Sequence, residues 1–153
     1  MTGDATPTNA DSVPVTEIMT RNVVCARPRL PVTSLARLMI RNHISCVPIV
    51  DERGHPRGMV TKSDLIELLD AEGGLDSSLL ASRTAADIMM PLAITLDDRA
   101  TVAHAASMMA IEGFHHVMIV GRSGALVGLV SSQDVVRWIV EHDHLAGAAA
   151  TGG

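Results

Sequence analysis

Aromatic side chains are almost missing from this chain. Its 153 residues include one Phe (Phe114), one Trp (Trp138) and no Tyr. That excludes platforms which stack nucleobases on aromatic rings. Basic residues are outnumbered, 12 against 17 acidic, for a net charge of −5, and no basic stretch stands out. Nucleic-acid binding through phosphate neutralisation therefore has no footprint. Cysteine is limited to Cys25 and Cys46, without a C-x-x-C spacing. This excludes a disulfide scaffold and points to two buried, reduced thiols. No apolar run reaches the roughly 18 residues that a bilayer span requires. Residues 1–11 are polar and lack the charged-then-apolar order of a signal peptide. The expected compartment is the cytoplasm, with neither membrane nor nucleic acid as a partner.

What the chain has in quantity is aliphatic. Hydrophobic residues make up 47%, nearly all of them Val, Ile, Leu, Met and Ala. Such a core suits an α/β (α+β) protein with strands buried on both faces. A unit of about 60 residues would be marginal alone, whereas two packed units bury a respectable core.

Shifted by seventy residues, the sequence aligns on itself without a gap, residues 18–69 on 88–139. Ile18-Met19 meets Ile88-Met89, and Arg29 meets Arg99. Val32, Ala36 and Met39 meet Val102, Ala106 and Met109. Val47, Ile49 and Val50 meet Val117, Ile119 and Val120. Gly54, Gly58, Val60 and Asp64 meet Gly124, Gly128, Val130 and Asp134. Thirteen identities stand where chance would give roughly three or four. Each copy reads as a βαββα unit. The expected first strand is 23–25 or 93–95. A helix follows with an apolar face of Val32, Leu35, Ala36, Met39 and Ile40, or Val102, Ala105, Ala106, Met109 and Ala110. Strands at 47–50 and 58–60, or 117–120 and 128–130, lead to a second helix beginning near Lys62 or Ser132. Its apolar face is Leu65, Ile66, Leu68 and Leu69, or Val135, Val136, Ile139 and Val140. The expected organisation is a disordered arm (1–12), unit one (13–71), a linker or partly helical crossover (72–83), unit two (84–145) and a frayed tail (146–153).

Each third strand ends in Gly-apolar-apolar-Thr/Ser-x-x-Asp: Gly58 through Thr61 to Asp64, and Gly128 through Ser131 to Asp134. One reading is a helix cap, with the hydroxyl at the N-cap and the acid in the first turn. The other is a ligand contact, because a strand-to-helix junction presents backbone N–H groups to phosphate, and a carboxylate there can accept hydrogen bonds from a ribose diol. The two are compatible. No Ser-His-Asp order, metal-spaced His/Cys set or Gly-x-x-x-x-Gly-Lys loop is present, so no catalytic residue or metal ligand is nominated and the chain is not expected to be an enzyme. His142-Asp143-His144 reads as solvated surface. On a strand His115 and His116 point oppositely, one inward and one to solvent.

In this order, twice, these pieces resemble a tandem pair of cystathionine-β-synthase (CBS) domains, a Bateman module. The resemblance covers residues 15–140 and rests on Ile18-Met19-Thr20, on 44–51 and on 58–64. It implies two βαββα units packed sheet to sheet about a pseudo-twofold axis, with two clefts open to an adenosine compound: AMP, ADP, ATP or S-adenosylmethionine. It implies that Asp64 and Asp134 hold ribose hydroxyls, with Thr61 and Ser131 on ribose or phosphate. The base would lie against Val23, Val24, Ala93 and Ile94, and against Ile44, Val47 and Pro48, or Phe114, Val117 and Met118. Phosphates would meet His115 or His116 in copy two, and Lys62 in copy one, which has Ser45-Cys46 where copy two has the histidines. Met118 departs from the usual proline. The resemblance implies a non-catalytic regulatory module without an obligatory cofactor, acting as a homodimer on an unknown protein partner. Two other readings stand beside it: a structural or dimerisation protein with vestigial clefts, and a metal or redox sensor using the cysteines and histidines.

Overall fold

The structure, a computed structural model, describes residues 9–71, 73, 77–91 and 94–150. Copy one contains α1 (Val32–Asn42), β1 (Cys46–Val50), β2 (Pro56–Thr61) and α2 (Lys62–Ala71). Short helices α3 (Ser77–Ser82) and α4 (Ala85–Ile88) lead to copy two. That holds β3 (Thr95–Asp97), α5 (Val102–Glu112), β4 (His116–Val120), β5 (Leu126–Ser131) and α6 (Ser132–Ala150). β1 and β2 form an antiparallel pair; β4 pairs antiparallel with β5 and parallel with β3. Each hairpin turns at a glycine with positive φ, Gly54 or Gly124, which leaves the strands in the same register in both copies.

The first strand is weaker than expected in copy one. In place of a strand over 23–25 there is a single parallel bridge, Ala26 to Ile49. In copy two the strand begins two residues late, at Thr95, and Ala93 lies outside the described residues. Proline explains the difference. The Asp98 N–H extends the ladder by donating to Val120 O at 3.0 Å. Seventy residues earlier stands Pro28, which has no N–H to donate.

Neither core is built from one continuous stretch. Val15 is buried in the core of copy two, where Val13, Ile18 and Met19 also pack. Ala85, Ile88 and Met89 complete the core of copy one. The exchange is reciprocal at the seventy-residue offset. Val15 N–H donates to Ala100 O and Ala85 N–H to Leu30 O, both at 2.8 Å. Thr20 bridges Leu129, as Met90 bridges Met59. This accounts for the repeated Ile-Met pair and for Gly58 and Gly128. A Cβ at Gly58 would strike the Met90 carbonyl and the Met89 sulfur; one at Gly128 would strike the Met19 side chain.

β1 is buried along its whole length because both faces are covered. Val47 and Ile49 face their own helices. Cys46 and Met59 pack instead on Met118, with Leu126 and Leu129, and this cluster joins the two sheets. Burial on both faces is why the strand reads as an unbroken apolar run.

Several expected core positions are turned outward. Val32, Leu35 and Met39 are buried as expected, but Ile40 is 70% exposed and Ala110 is exposed too. On the second helices Ile66, Val136, Ile139 and Val140 are exposed. Ile40, Ala110, Ile66, Val136 and Val140 lie about 100° or more around their helices from the row that meets the sheet, and Ile139 lies at the edge of that row, about 40° from Val135. The expected arm over 1–12 is ordered from residue 9 onward, where Asn9–Asp11 makes a 3-10 turn and Ala10 packs on the second core; residues 1–8 lie outside the described residues. The expected tail begins inside α6, which continues to Ala150, and residues 151–153 lie outside the described residues.

Candidate functional site

Both strand-to-helix junctions form the cap. In copy one the Thr61 N–H and hydroxyl donate to Asp64 Oδ2 at 2.6 and 3.0 Å, and the Asp64 N–H donates to Thr61 Oγ1 at 3.4 Å. In copy two the matching distances to Asp134 and Ser131 are 2.8, 2.9 and 3.1 Å. The same box recurs, solvent-exposed, at Thr84 and Asp87, at 2.7 and 3.0 Å, at the start of a four-residue helix. Thr/Ser-x-x-Asp alone therefore reports a helix start. What sets Asp134 apart is its surroundings.

Asp134 and Ser131 of copy two line a cavity of about 240 Å³ whose opposite wall belongs to copy one: Thr20, Val23, Val24, Ile44 and Cys46. The acid of one copy thus faces the apolar wall of the other. Among its described contacts, Asp134 Oδ2 serves the cap and Oδ1 lies 3.6 Å from Arg137 Nη1. The counterpart would set Asp64 against Ala93 and Ile94; Ala93 lies outside the described residues, and Ile94 packs on the second core.

A second cavity, of about 510 Å³, adjoins the first, sharing Ser45, His116, Ser131 and Gln133. It lies between the starts of α2 and α6, with Thr61, Lys62 and Ser63 on one side and Ser131, Ser132 and Gln133 on the other; His115 also lines it. The Lys62 N–H donates to Ser45 O and the Ser132 N–H to His115 O, both at 2.9 Å. These bonds pin each helix start to the residue that precedes the middle strand.

The remaining expected site residues divide clearly. Val47, Pro48, Val117 and Met118 are buried and line neither cavity. They are structural here because both strand faces are covered: Val47 and Val117 meet their own helices, and Met118, with Pro48 on the corresponding face of β1, meets the opposing sheet. Thr20, His43 and Gln133 line the smaller cavity although sequence reasoning did not nominate them. Thr20 arrives only through the exchange between copies, and Gln133 was readable as the residue two past the cap. His115 is exposed and His116 half-buried.

Burial sets the electrostatics at the equivalent positions 46 and 116. It pushes the Cys46 thiol up to about 12, with Asp64 adding to the effect. Burial also lowers His116, helped by His115 and opposed by Asp134. Of the two cysteines expected to be buried, only Cys46 is; Cys25 is exposed, because its neighbour Ala26 is the residue that turns into the core and adjacent extended residues point oppositely. No described group of three or more His, Cys, Asp or Glu is placed to hold a metal, and no described helix is long and apolar enough to cross a membrane.

Comparison with known proteins agrees with this geometry. The CBS domain family pattern matches residues 15–71 and again 85–141. An uncharacterized protein of Methanopyrus kandleri is 30% identical over 126 residues, which is 82% of this chain and 62% of that protein. An L-aspartate semialdehyde sulfurtransferase of Methanocaldococcus jannaschii is 27% identical over 80% of this chain but only 22% of its own length. The chain thus spans less than two thirds of these relatives. Among solved structures, a CBS domain pair in complex with 5′-methylthioadenosine and S-adenosyl-L-methionine superposes with a TM-score of 0.73 at 26% identity, covering 83% of this chain and 99% of that one. The CBS domain of a bacterial CNNM/CorC family Mg2+ transporter in complex with ATP gives 0.76 at 25% identity, over 86% and 89%. Two matches seventy residues apart place this chain in the CBS domain family as a tandem pair.

Proposed function

We propose that the chain is a regulatory module that binds an adenosine-containing ligand in the cleft between Asp134 and Val23-Val24. The observation that carries this reading is the crossed cavity, with a capped carboxylate and hydroxyl from copy two facing an aliphatic wall from copy one. Adenine fits the wall of Val23, Val24 and Ile44. The ribose diol fits Asp134, whose Oδ1 meets, among the described residues, a long contact to an exposed Arg137. A phosphate or other 5′ substituent would extend past His116 into the larger cavity, toward Lys62. The adenosine ligands of the two solved pairs support the ligand class. Since each copy supplies half of the cleft, a ligand favours arrangements that keep the halves aligned. Regulation acts through that difference in affinity between arrangements.

Calorimetric titration with AMP, ATP, S-adenosylmethionine and 5′-methylthioadenosine tests the reading. Asp134→Ala should weaken binding ten- to a hundredfold, about 1.4–2.8 kcal/mol, and Asp64→Ala should leave this cleft's affinity unchanged. No heat with any of the four ligands overturns it.

The exposed Ile66, Val136, Ile139 and Val140 favour a second reading, a dimerisation protein whose apolar helix faces pair about a twofold axis. Sedimentation with and without ligand separates the two. The dimerisation reading alone predicts self-association indifferent to nucleotide and to Asp134→Ala.

A further inference from the structure

His116 is the one titratable side chain that lines both cavities and belongs to neither helix start. It opens β4 and pairs in register with Ser131 of β5, so its ring stands beside the Ser131–Asp134 cap. In copy one the same place is taken by Cys46. We infer that His116 sorts adenosine ligands by charge, taking up a proton when the ligand is anionic and remaining neutral when it is not. This rests on the ligand-binding reading above and deepens it.

The charges around His116 come from every side. His115 lies next to it on β4. Asp134, with Arg137 beside it, comes from α6. Lys62 faces it from α2 across the larger cavity, and His43 from the end of α1 across the smaller. Cys46 on β1 stays a neutral thiol, and Asp64 lies beyond it. In the empty protein, burial and His115 outweigh Asp134, so the imidazole is neutral near pH 7. A phosphate bound past it adds negative charge in a partly desolvated space and favours the imidazolium. An uncharged nucleoside adds none.

The sign follows by linkage. If binding raises the His116 pKa, the complex holds more protons than the free protein. Affinity then rises as pH falls through the window between the free and bound values, by at most about tenfold per unit for one proton. For an uncharged ligand that window is absent, so the preference for anions over neutral nucleosides should grow toward mildly acid pH.

AMP and 5′-methylthioadenosine are the probes, titrated calorimetrically between pH 8 and 5.5 in buffers of different ionisation enthalpy, with the unsubstituted protein and His116→Gln. The glutamine variant cancels the titration of AMP itself. The expected result is that the affinity ratio of unsubstituted protein to variant rises several-fold for AMP as pH falls, with extra proton uptake, and stays flat for 5′-methylthioadenosine. A direct reading that needs no variant is the His116 ring proton resonance in NMR, which should titrate at higher pH with AMP than without. Equal proton uptake and parallel pH profiles, or an unmoved resonance, in protein that binds AMP overturns the inference and leaves the ligand-binding reading standing. Absence of binding by both probes overturns the inference, and the ligand-binding reading falls with it when ATP and S-adenosylmethionine also give no heat.

Discussion

At position 46 copy one buries a thiol; at position 116 copy two places an imidazole. Beside them Pro48 is matched by Met118, and Leu35 and Leu68 by Ala105 and Trp138. The backbone around these pairs is nevertheless the same, down to the register shift after the fourth residue of the middle strand. The two copies teach where symmetry is enforced. Backbone hydrogen bonds and close approaches carry the reciprocal exchange, so both copies keep glycine at 58 and 128 while the side chains they trade, Val15 for Ala85 and Thr20 for Met90, differ. At the central clefts the Thr/Ser–Asp caps are kept, and the divergence falls on the strand residues beside them, Cys46 and His116. The Asp134 cleft is the property of neither copy alone, since its acid and its apolar wall come from different ones.

The largest effect that would break this comparison lies at the two glycines. Gly58→Ala drives its Cβ onto the Met90 carbonyl, which cannot move without shifting the exchanged segment; at Gly128 the obstacle is the flexible Met19 side chain. Gly58→Ala should cost about 3 kcal/mol and Gly128→Ala about 1, within the range for overpacking, as read by urea unfolding. Equal costs would mean that the two exchanges are equally rigid.

A smaller effect tests how the second core balances its volume. Ala105 and Trp138 occupy one cluster, and among the described residues the buried Nε1 of Trp138 meets no hydrogen-bond partner. Ala105→Leu should destabilise by about 1–3 kcal/mol. Adding Trp138→Leu, which makes room and removes the unpaired N–H, should recover part of the loss. A double-mutant cycle with no coupling would show that the two positions do not share the space.

The smallest effect concerns the C-cap of the first long helix. His43 holds φ 52° where Gly113 holds 72°, a left-handed conformation that a Cβ makes costly. His43→Gly should stabilise the fold by about 0.5–1 kcal/mol and Gly113→Ala should destabilise it by about 1 kcal/mol, measured by thermal unfolding at fixed pH.

Much of this was legible because it is local. Helical spacing picked out α1 and α5, and the Thr/Ser-x-x-Asp pattern located both helix starts to the residue. The candidate site was legible in part. Asp134, Ser131, Val23, Val24 and Ile44, each nominated from the sequence, line one cavity, but nothing in the sequence joined the acid of copy two to the wall of copy one; Val47, Pro48, Val117 and Met118 are buried in the packing on the two faces of the middle strands. Alternation along a strand cannot say which of two covered faces is open to a ligand.

The seventy-residue offset and its apolar periodicities were enough to establish two βαββα copies, since hydrogen-bond caps, turns and amphipathic spacing act over a few residues. Folding alone decided that Val15 and Ala85 would complete each other's cores and that Asp134 would face Val23. It also decided that His116, and not Cys46, would stand as a titratable group between the cavities. Those outcomes depend on how two sheets meet across long stretches of chain, 55 residues between Leu30 and Ala85 and 111 between Val23 and Asp134, contacts that no short stretch of sequence encodes.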